Sequence, residues 1–214
     1  MTFTTIFFDL DDTLYPHESG LWEAIKKRIS LYMHEQLGMS WDEIPATRES
    51  YFLEYGTTLR GIQANFDVDE NAYHAYVHQL PLDEYIAPDP NLLTVLDQLP
   101  QRKIIFTSAD TTHARRVLAQ LQIADHFEKI LDVHAIAPYI KPQADAFQRA
   151  MDIVGETDPR RCVMIDDLPR TTRAAKDFGL FSILKGKKGS SDDANADLQD
   201  WRDLPALLNG ASGR

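Results

Sequence analysis

Five short apolar runs punctuate this chain, and their length and spacing restrict the fold more than any other feature. They are Thr5–Phe8, Lys103–Phe106, Lys129–Leu131, Cys162–Ile165 and Leu180–Leu184. Each is about as long as a strand. The first, second and fourth are apolar at nearly every position rather than at alternate ones. Unbroken apolarity suits strands buried on both faces, as in a parallel sheet covered by helices. Between the later runs, apolar residues recur at helical spacing. One set is Ala114, Val117, Leu118 and Leu121, and another is Phe147, Ala150, Met151 and Val154. A third is Ala174, Ala175 and Phe178, with Gly179 as a stop. Strands alternating with helices predict βαβ units with right-handed crossovers.

The rhythm breaks between Tyr15 and Ala87. Leu21, Ile25, Ile29 and Met33 fall every fourth residue. Ser40-Trp41-Asp42-Glu43 reads as a capping box that opens a helix through Tyr51 and Leu53. Thr58–Phe66 and Glu70–Gln79 add two further helical segments. Asp89-Pro90 then opens a helix through Leu92, Val95, Leu96 and Leu99 into the second strand. A chain that leaves a sheet after its first strand and returns only after a run of helices carries an inserted domain. The expected organisation is a Rossmann-like α/β core from residues 1–14 and 88–214, with a small all-helical domain over 15–87. The polar stretch Gly186–Asn195, with Lys187 and Lys188, predicts a solvated loop. Trp201–Leu208 predicts a short helix that closes the sheet edge.

With 214 residues and 43% hydrophobic content, the chain can bury a sizeable core. Its 22 Lys and Arg against 33 Asp and Glu leave a formal charge of −11. That balance argues against a nucleic-acid polymer as partner, which needs a basic face. One local positive site can still hold a small anion. Cys162 is the sole cysteine, so no intramolecular disulfide forms, and it is expected as a small buried apolar residue. No apolar run approaches the ~20 residues that span a bilayer, and the start of the chain lacks a signal-peptide layout. A cytoplasmic protein without membrane partners is the expectation; nothing in the sequence assigns an oligomeric state.

Ligands of open α/β sheets sit beyond the carboxyl ends of the strands. There the sequence places Asp9-Leu10-Asp11-Asp12-Thr13, Thr107-Ser108, Lys141-Pro142 and Asp166-Asp167. Parallel topology predicts that these groups converge on one rim. Two like charges about 4 Å apart repel by roughly 4 kcal/mol at an effective dielectric near 20. Asp9, Asp11, Asp166 and Asp167 together therefore require protonation or a bound cation. Oxygen donors without clustered Cys or His select a hard divalent cation, Mg²⁺, and Lys141 adds a fixed positive charge. Such a site suits phosphoryl transfer, with one carboxylate as nucleophile and another as general acid and then base. Asp9 and Asp11 would share a strand face if the chain stayed extended. Thr107 and the amides around it are candidates for binding phosphate oxygens.

DLDDTL at 9–14, a strand ending in Thr107, IKP at 140–142 and IDD at 165–167 resemble, in order, the four motifs of the haloacid dehalogenase superfamily of phosphatases. YPHESGLWEAI at 15–25, YGTTLRGI at 55–62, FTSADTTHARRVL at 106–118 and IKPQADAF at 140–147 are similar to its pyrimidine 5′-nucleotidase branch. Members of that branch carry a small helical cap after the first motif and hydrolyse nucleoside monophosphates. The resemblance implies Asp9 as nucleophile and metal ligand. It implies Asp11 as acid/base, with its backbone carbonyl on the metal. Thr107 would bind phosphate with the amides of Leu10, Asp11 and Ser108, and Lys141 would hold the nucleophile. Asp167 would be the principal metal ligand of the fourth motif, with Asp166 direct or through water. Tyr55 and Thr57 would bind substrate under the cap. The chain departs from the branch at Leu168 and Thr171, where Ser and Asn are usual, at Ser108 in place of Asn, and at Ile140 in place of Cys. Leu168 and Thr171 thereby lose side-chain polar contacts around the metal.

Other readings share parts of this pattern. A phosphomutase uses the same four motifs. A 2-haloacid dehalogenase needs no metal and typically lacks an aspartate at the position of Asp11. A receiver domain also arranges acids, a hydroxyl and a Lys around Mg²⁺, but without a large helical insertion after the first strand. A catalytically silent binding member is a fourth possibility. Taken singly, the site residues also have ordinary structural roles: Asp and Thr cap helices and form turns, and Thr57 suits a helix start. His113 is expected on a helix surface, off the reaction path.

Overall fold

The computed structural model describes residues 2–186, 189 and 192–212. The five apolar runs are strands of one sheet, joined by a sixth. They are β1 (Thr5–Phe8), β2 (Arg102–Phe106), β3 (Lys129–Leu131), β4 (Cys162–Asp166), β5 (Phe181–Lys185) and β6 (Ala196–Leu198). Their order is β3-β2-β1-β4-β5-β6, and every neighbouring pair is parallel. β1 lies in the interior of the sheet, where Thr5 pairs with both Arg102 and Cys162 and Phe8 with both Ile105 and Ile165. All four of its residues are buried, as its unbroken apolar run requires. The chain steps from β1 outward to β3, then returns to lay β4 on the other side of β1. Such a reversal opens a crevice at the strand ends.

The chain divides into two compact units, residues 1–18 with 86–214 and residues 19–85. The second unit holds four helices: α1 (Leu21–Glu35), α2 (Ile44–Tyr55), α3 (Thr58–Asn65) and α4 (Glu70–Val77). Its first residue is Ser19 rather than the expected Tyr15, because side chains tie the intervening segment back. Tyr15 Oη donates to Asp11 Oδ1 at 2.7 Å, and His17 Nδ1 lies 2.6 Å from Asp12 Oδ2. At the far joint, Ile86 is buried and its carbonyl accepts from Gln120 Nε2, so it belongs to the first unit. The capping box at Ser40 forms a turn, with the Ser40 N–H and hydroxyl donating to Glu43 Oε2 at 3.2 and 2.7 Å. The helix itself opens later, at Ile44, because Pro45 suits only a first helical turn.

The first unit carries α5 (Pro90–Gln98), α6 (Thr111–Gln120), α7 (Ala144–Val154), α8 (Pro169–Phe178) and α9 (Leu204–Ser212). Phe7, Phe106, Phe147, Met151 and Met164 belong to one core cluster, in which the Phe106 ring meets those of Phe7 and Phe147 edge-on at 6.0 and 5.9 Å. Cys162 is part of it, and burial pushes its thiol pKa up to about 12. Gly179 ends α8 with φ 109°, where its N–H donates to the carbonyls of Ala175 and Lys176.

The end of the chain departs from expectation. β6, not a helix, pairs with β5. Trp201–Asp203 is a 3₁₀ turn before α9, and the Trp201 ring lies 6.2 Å from that of Phe8 on the interior strand, so this segment covers a sheet face. Within the Gly186–Asn195 loop, residues 187, 188, 190 and 191 lie outside the described residues; Asn195 Oδ1 accepts from the Ser182 N–H at 2.9 Å. Among the described residues no helix is long and apolar enough to cross a membrane.

Candidate active site

Asp9 extends β1 by one residue, its N–H donating to the Ile165 carbonyl at 2.9 Å. The chain then turns. The N–H groups of Thr13 and Leu14 both donate to the Leu10 carbonyl, and Asp12 takes φ 57°. A turn, and not strand alternation, therefore sets Asp11 relative to Asp9. Thr13 Oγ1 donates to Asp9 Oδ2 at 3.0 Å, a bond that only this turn permits.

Lys141 bridges the ends of the neighbouring strands β1 and β4. Its Nζ lies 2.8 Å from Asp9 Oδ1 and 2.8 Å from Asp166 Oδ2, and 5.3 Å from the centroid of the Phe106 ring. Asp166 Oδ1 accepts from the Leu168 N–H at 2.9 Å. The backbone thus orients Asp166 where the departure at Leu168 removes a polar side chain. Asp167 completes the cluster, because Asp9, Asp166 and Asp167 each offer an oxygen within 4.8 Å of the others. Their exposures are 8%, 1% and 8%, so water screens them little.

Three buried carboxylates face one ammonium. Burial raises the Asp9 pKa well above the ordinary carboxylate value; Lys141 opposes the shift, and Asp166 and Asp167 reinforce it. Burial alone would lower the Lys141 pKa, but Asp166 and Asp9 outweigh it and the net shift is upward. A divalent cation bound there would neutralise negative charge that Lys141 does not. An all-oxygen donor set without His or Cys suits a hard cation such as Mg²⁺, so Asp9, Asp166 and Asp167 fit that role.

Asp11 stands apart from this cluster. Its Oδ1 accepts from the Tyr15 hydroxyl at 2.7 Å, and His113 Nε2 lies 2.8 Å from the same atom. A carboxylate oxygen offers only lone pairs, so the imidazole donates. His113 is 1% exposed, which corrects the helix-surface expectation. It lies on the stripe with Ala114, Val117 and Leu118 that buries α6. The Tyr15 pKa is raised well above its ordinary value, first by burial and then by the Asp11 charge.

Thr107 follows β2 and is buried; its Oγ1 accepts from the Ala109 N–H at 3.0 Å, leaving its own proton to donate. Ser108 beside it is half-buried, and Leu10 is fully buried. Tyr55 and Thr57 lie in the other unit. Thr57 is the N-cap of α3, accepting from the Arg60 N–H at 3.2 Å, and Tyr55 ends α2 with its ring 5.9 Å from that of Tyr51. Sequence reasoning missed Thr13, Tyr15 and His113 as partners of the two aspartates. For His113 the apolar stripe, on which it precedes Val117 by four residues, gave a signal of burial but not of the partner. For Tyr15 there was none beyond its closeness to the first motif.

The profile of the family described as haloacid dehalogenase-like hydrolase matches residues 3–179. Phosphate metabolism protein 8 of Saccharomyces cerevisiae is 29% identical over 192 residues, 83% of this chain and 60% of that protein. The chain thus spans about three fifths of that relative's length. A HAD phosphatase from Thermococcus onnurineus superimposes with a TM-score of 0.65 at 19% identity, covering 97% of this chain and 98% of that one. β-Phosphoglucomutase from Clostridium difficile does so with a TM-score of 0.64 at 19% identity, with both chains fully covered. These two structures show a shared fold. With its profile matched over most of its length and its acids gathered around Lys141 at the ends of β1 and β4, the chain belongs to the haloacid dehalogenase-like hydrolase family.

Proposed function

We propose that this protein is a Mg²⁺-dependent phosphomonoester hydrolase that works through an aspartyl-phosphate on Asp9, with pyrimidine nucleoside 5′-monophosphates as the first substrates to test. The observation that carries the reading is the buried group of Asp9, Asp166 and Asp167 around Lys141. It combines a nucleophilic carboxylate with a site for one cation. The relative's name, Phosphate metabolism protein 8, points the same way.

In this reading an Asp9 carboxylate oxygen attacks phosphorus in line. The ester P–O bond breaks, and the leaving oxygen takes a proton from Asp11. Water then gives a proton to Asp11 as its oxygen attacks the phosphoryl group, which releases inorganic phosphate and restores Asp9. Lys141 favours the ionised form of Asp9 against the effect of burial and aims the carboxylate. Thr107 and neighbouring amides hold phosphate oxygens. Bound at Asp9, Asp166 and Asp167, with the Asp11 carbonyl, Mg²⁺ would offset charge on the phosphoryl oxygens. Residues 19–85 are the proposed cap that sets selectivity, with Tyr55 and Thr57 as substrate contacts.

The test is a panel of nucleotides, sugar phosphates and phosphoglycolate, assayed for phosphate release with Mg²⁺ or EDTA. Wild-type protein should release phosphate only with the cation. Asp9→Asn should lose more than about 10³-fold in kcat/KM while keeping its melting temperature. Near-normal turnover by Asp9→Asn would overturn the nucleophile. Transfer to a sugar phosphate in place of water would make the enzyme a mutase, and a peak on UMP or CMP would support the nucleotide reading.

A further inference from the structure

Two buried side chains converge on Asp11, and neither belongs to the four motifs. We propose that His113 and Tyr15 are positioning residues that lock the Asp11 carboxyl so that one oxygen, Oδ2, handles every proton of the reaction. This rests on the phosphomonoesterase reading above.

Both donors reach the same atom. Tyr15 Oη is 2.7 Å and His113 Nε2 2.8 Å from Asp11 Oδ1. An oxygen that accepts two N–H or O–H bonds has little capacity left for a proton, so the neutral acid carries its proton on Oδ2. The donors are themselves fixed, Tyr15 at 3% exposure and His113 at 1%. His113 sits in the first turn of α6, where the Asp110 side chain caps the helix by accepting from the N–H groups of Thr112 and His113. The segment from Thr107 to His113 therefore runs from the expected phosphate-binding hydroxyl to the group that orients the acid. The carboxyl of Asp11 lies on a turn, and turns position side chains less firmly than helices or strands do. The two bonds supply that missing constraint. In the first step the leaving oxygen takes the proton from Oδ2 as the ester bond breaks. In the second, water returns a proton to Oδ2 as its oxygen bonds to phosphorus and the Asp9–phosphorus bond breaks. No proton is gained or lost over the cycle by Asp11.

The two roles open to His113 and Tyr15, packing or positioning, differ in how they depend on the leaving group. An alkoxide leaves only if protonated, whereas p-nitrophenolate leaves unaided. The experiment compares kcat/KM for UMP, or the alkyl phosphate that turns over best in the panel, with kcat/KM for p-nitrophenyl phosphate. It is run on wild type, His113→Leu, His113→Gln, Tyr15→Phe and, as reference, Asp11→Asn, with thermal melts beside each. His113→Leu should lose roughly 10²-fold on the alkyl ester and far less on the aryl ester, and Tyr15→Phe about 10-fold in the same sense. His113→Gln, whose amide N–H can stand in for Nε2–H, should recover much of the alkyl activity. If the leucine variant fails to fold, Tyr15→Phe and His113→Gln still decide the matter. Equal losses on both esters, or none on either, would overturn the positioning role. Absence of hydrolysis by wild-type protein on every ester would instead overturn the phosphatase reading beneath it.

Discussion

Lys141 shows how a single residue holds the site together. The residue is 5% exposed, and its ammonium touches two carboxylates that would otherwise face each other. Removing one partner from a buried ion pair costs more than the pair itself contributes, because the charges left behind lose both water and neutraliser. Lys141→Met should destabilise the metal-free protein by about 3 kcal/mol at neutral pH, read from urea melts. The loss should shrink as the pH falls, because protonation of Asp9, whose pKa burial already raises, removes charge that the ammonium would otherwise neutralise. An equal loss at pH 5 and pH 8 would mean that packing of the lysine stem, not charge, dominates. At this scale the sequence told a good deal. Asp9, Lys141, Asp166 and Asp167 were identifiable from their places after strands. The donors to Asp11 were not, since a tyrosine after the first motif and a histidine on an apolar stripe carry no mark of the carboxylate they meet.

Helices α2 and α3 owe their close approach to one glycine. A Cβ on Gly61 would lie 2.1 Å from Tyr51 Cγ and 2.3 Å from Tyr51 Cβ, the root of that side chain. The tyrosine cannot swing away from its own Cβ, so the two helices would have to part. Gly61→Ala should therefore lose about 1–3 kcal/mol, less the fraction that alanine's helix propensity returns. Gly210, within α9, has no heavy atom within 4 Å of a Cβ built on it. There the same substitution should gain up to about 1 kcal/mol. Urea melts of the two variants should move in opposite directions; a stabilised Gly61→Ala would contradict the packing account. Among the elements, α7 buries Phe147, Ala150, Met151 and Val154 as its apolar periodicity predicts, while the start of α2 was misjudged because Pro45 outweighs Ser40. The three-residue β6 escaped notice, having only Leu198 fully buried, and exists because β5 offers it an edge.

Across the whole molecule, the cation binding proposed above would be linked to stability. The chain carries a net −11, and among the described residues Asp9, Asp166 and Asp167 form a buried group of carboxylates. A ligand that binds only the folded protein at 100 times its Kd adds about 2.7 kcal/mol. Mg²⁺ should therefore raise the melting temperature, and Asp167→Asn should abolish most of that rise. The sign of the pH dependence follows from Asp9, whose pKa is raised in the folded, metal-free protein. Its contribution to stability is present below the unfolded carboxylate value and is lost as the pH rises through the folded one. Metal-free protein should lose stability through this group between acid and neutral pH, and Mg²⁺, which competes with that proton, should stabilise more at pH 8 than at pH 5.5. Differential scanning fluorimetry at both values checks this; a larger Mg²⁺ shift at pH 5.5 would place the cation elsewhere.

The order of residues alone determined the first five strands and most of the helices, that the strands run parallel, and that acids and a lysine follow them. These are consequences of local periodicity, and periodicity is written along the chain. Only the tertiary structure decided that His113 and Asp11, 102 residues apart, share a hydrogen bond. It alone decided that the Leu168 amide supports Asp166 where no polar side chain does, and that the Tyr15 hydroxyl folds back onto Asp11. A hydrogen bond depends on two groups meeting at a set distance and angle, and that meeting is a property of how elements stack, which no window of sequence contains.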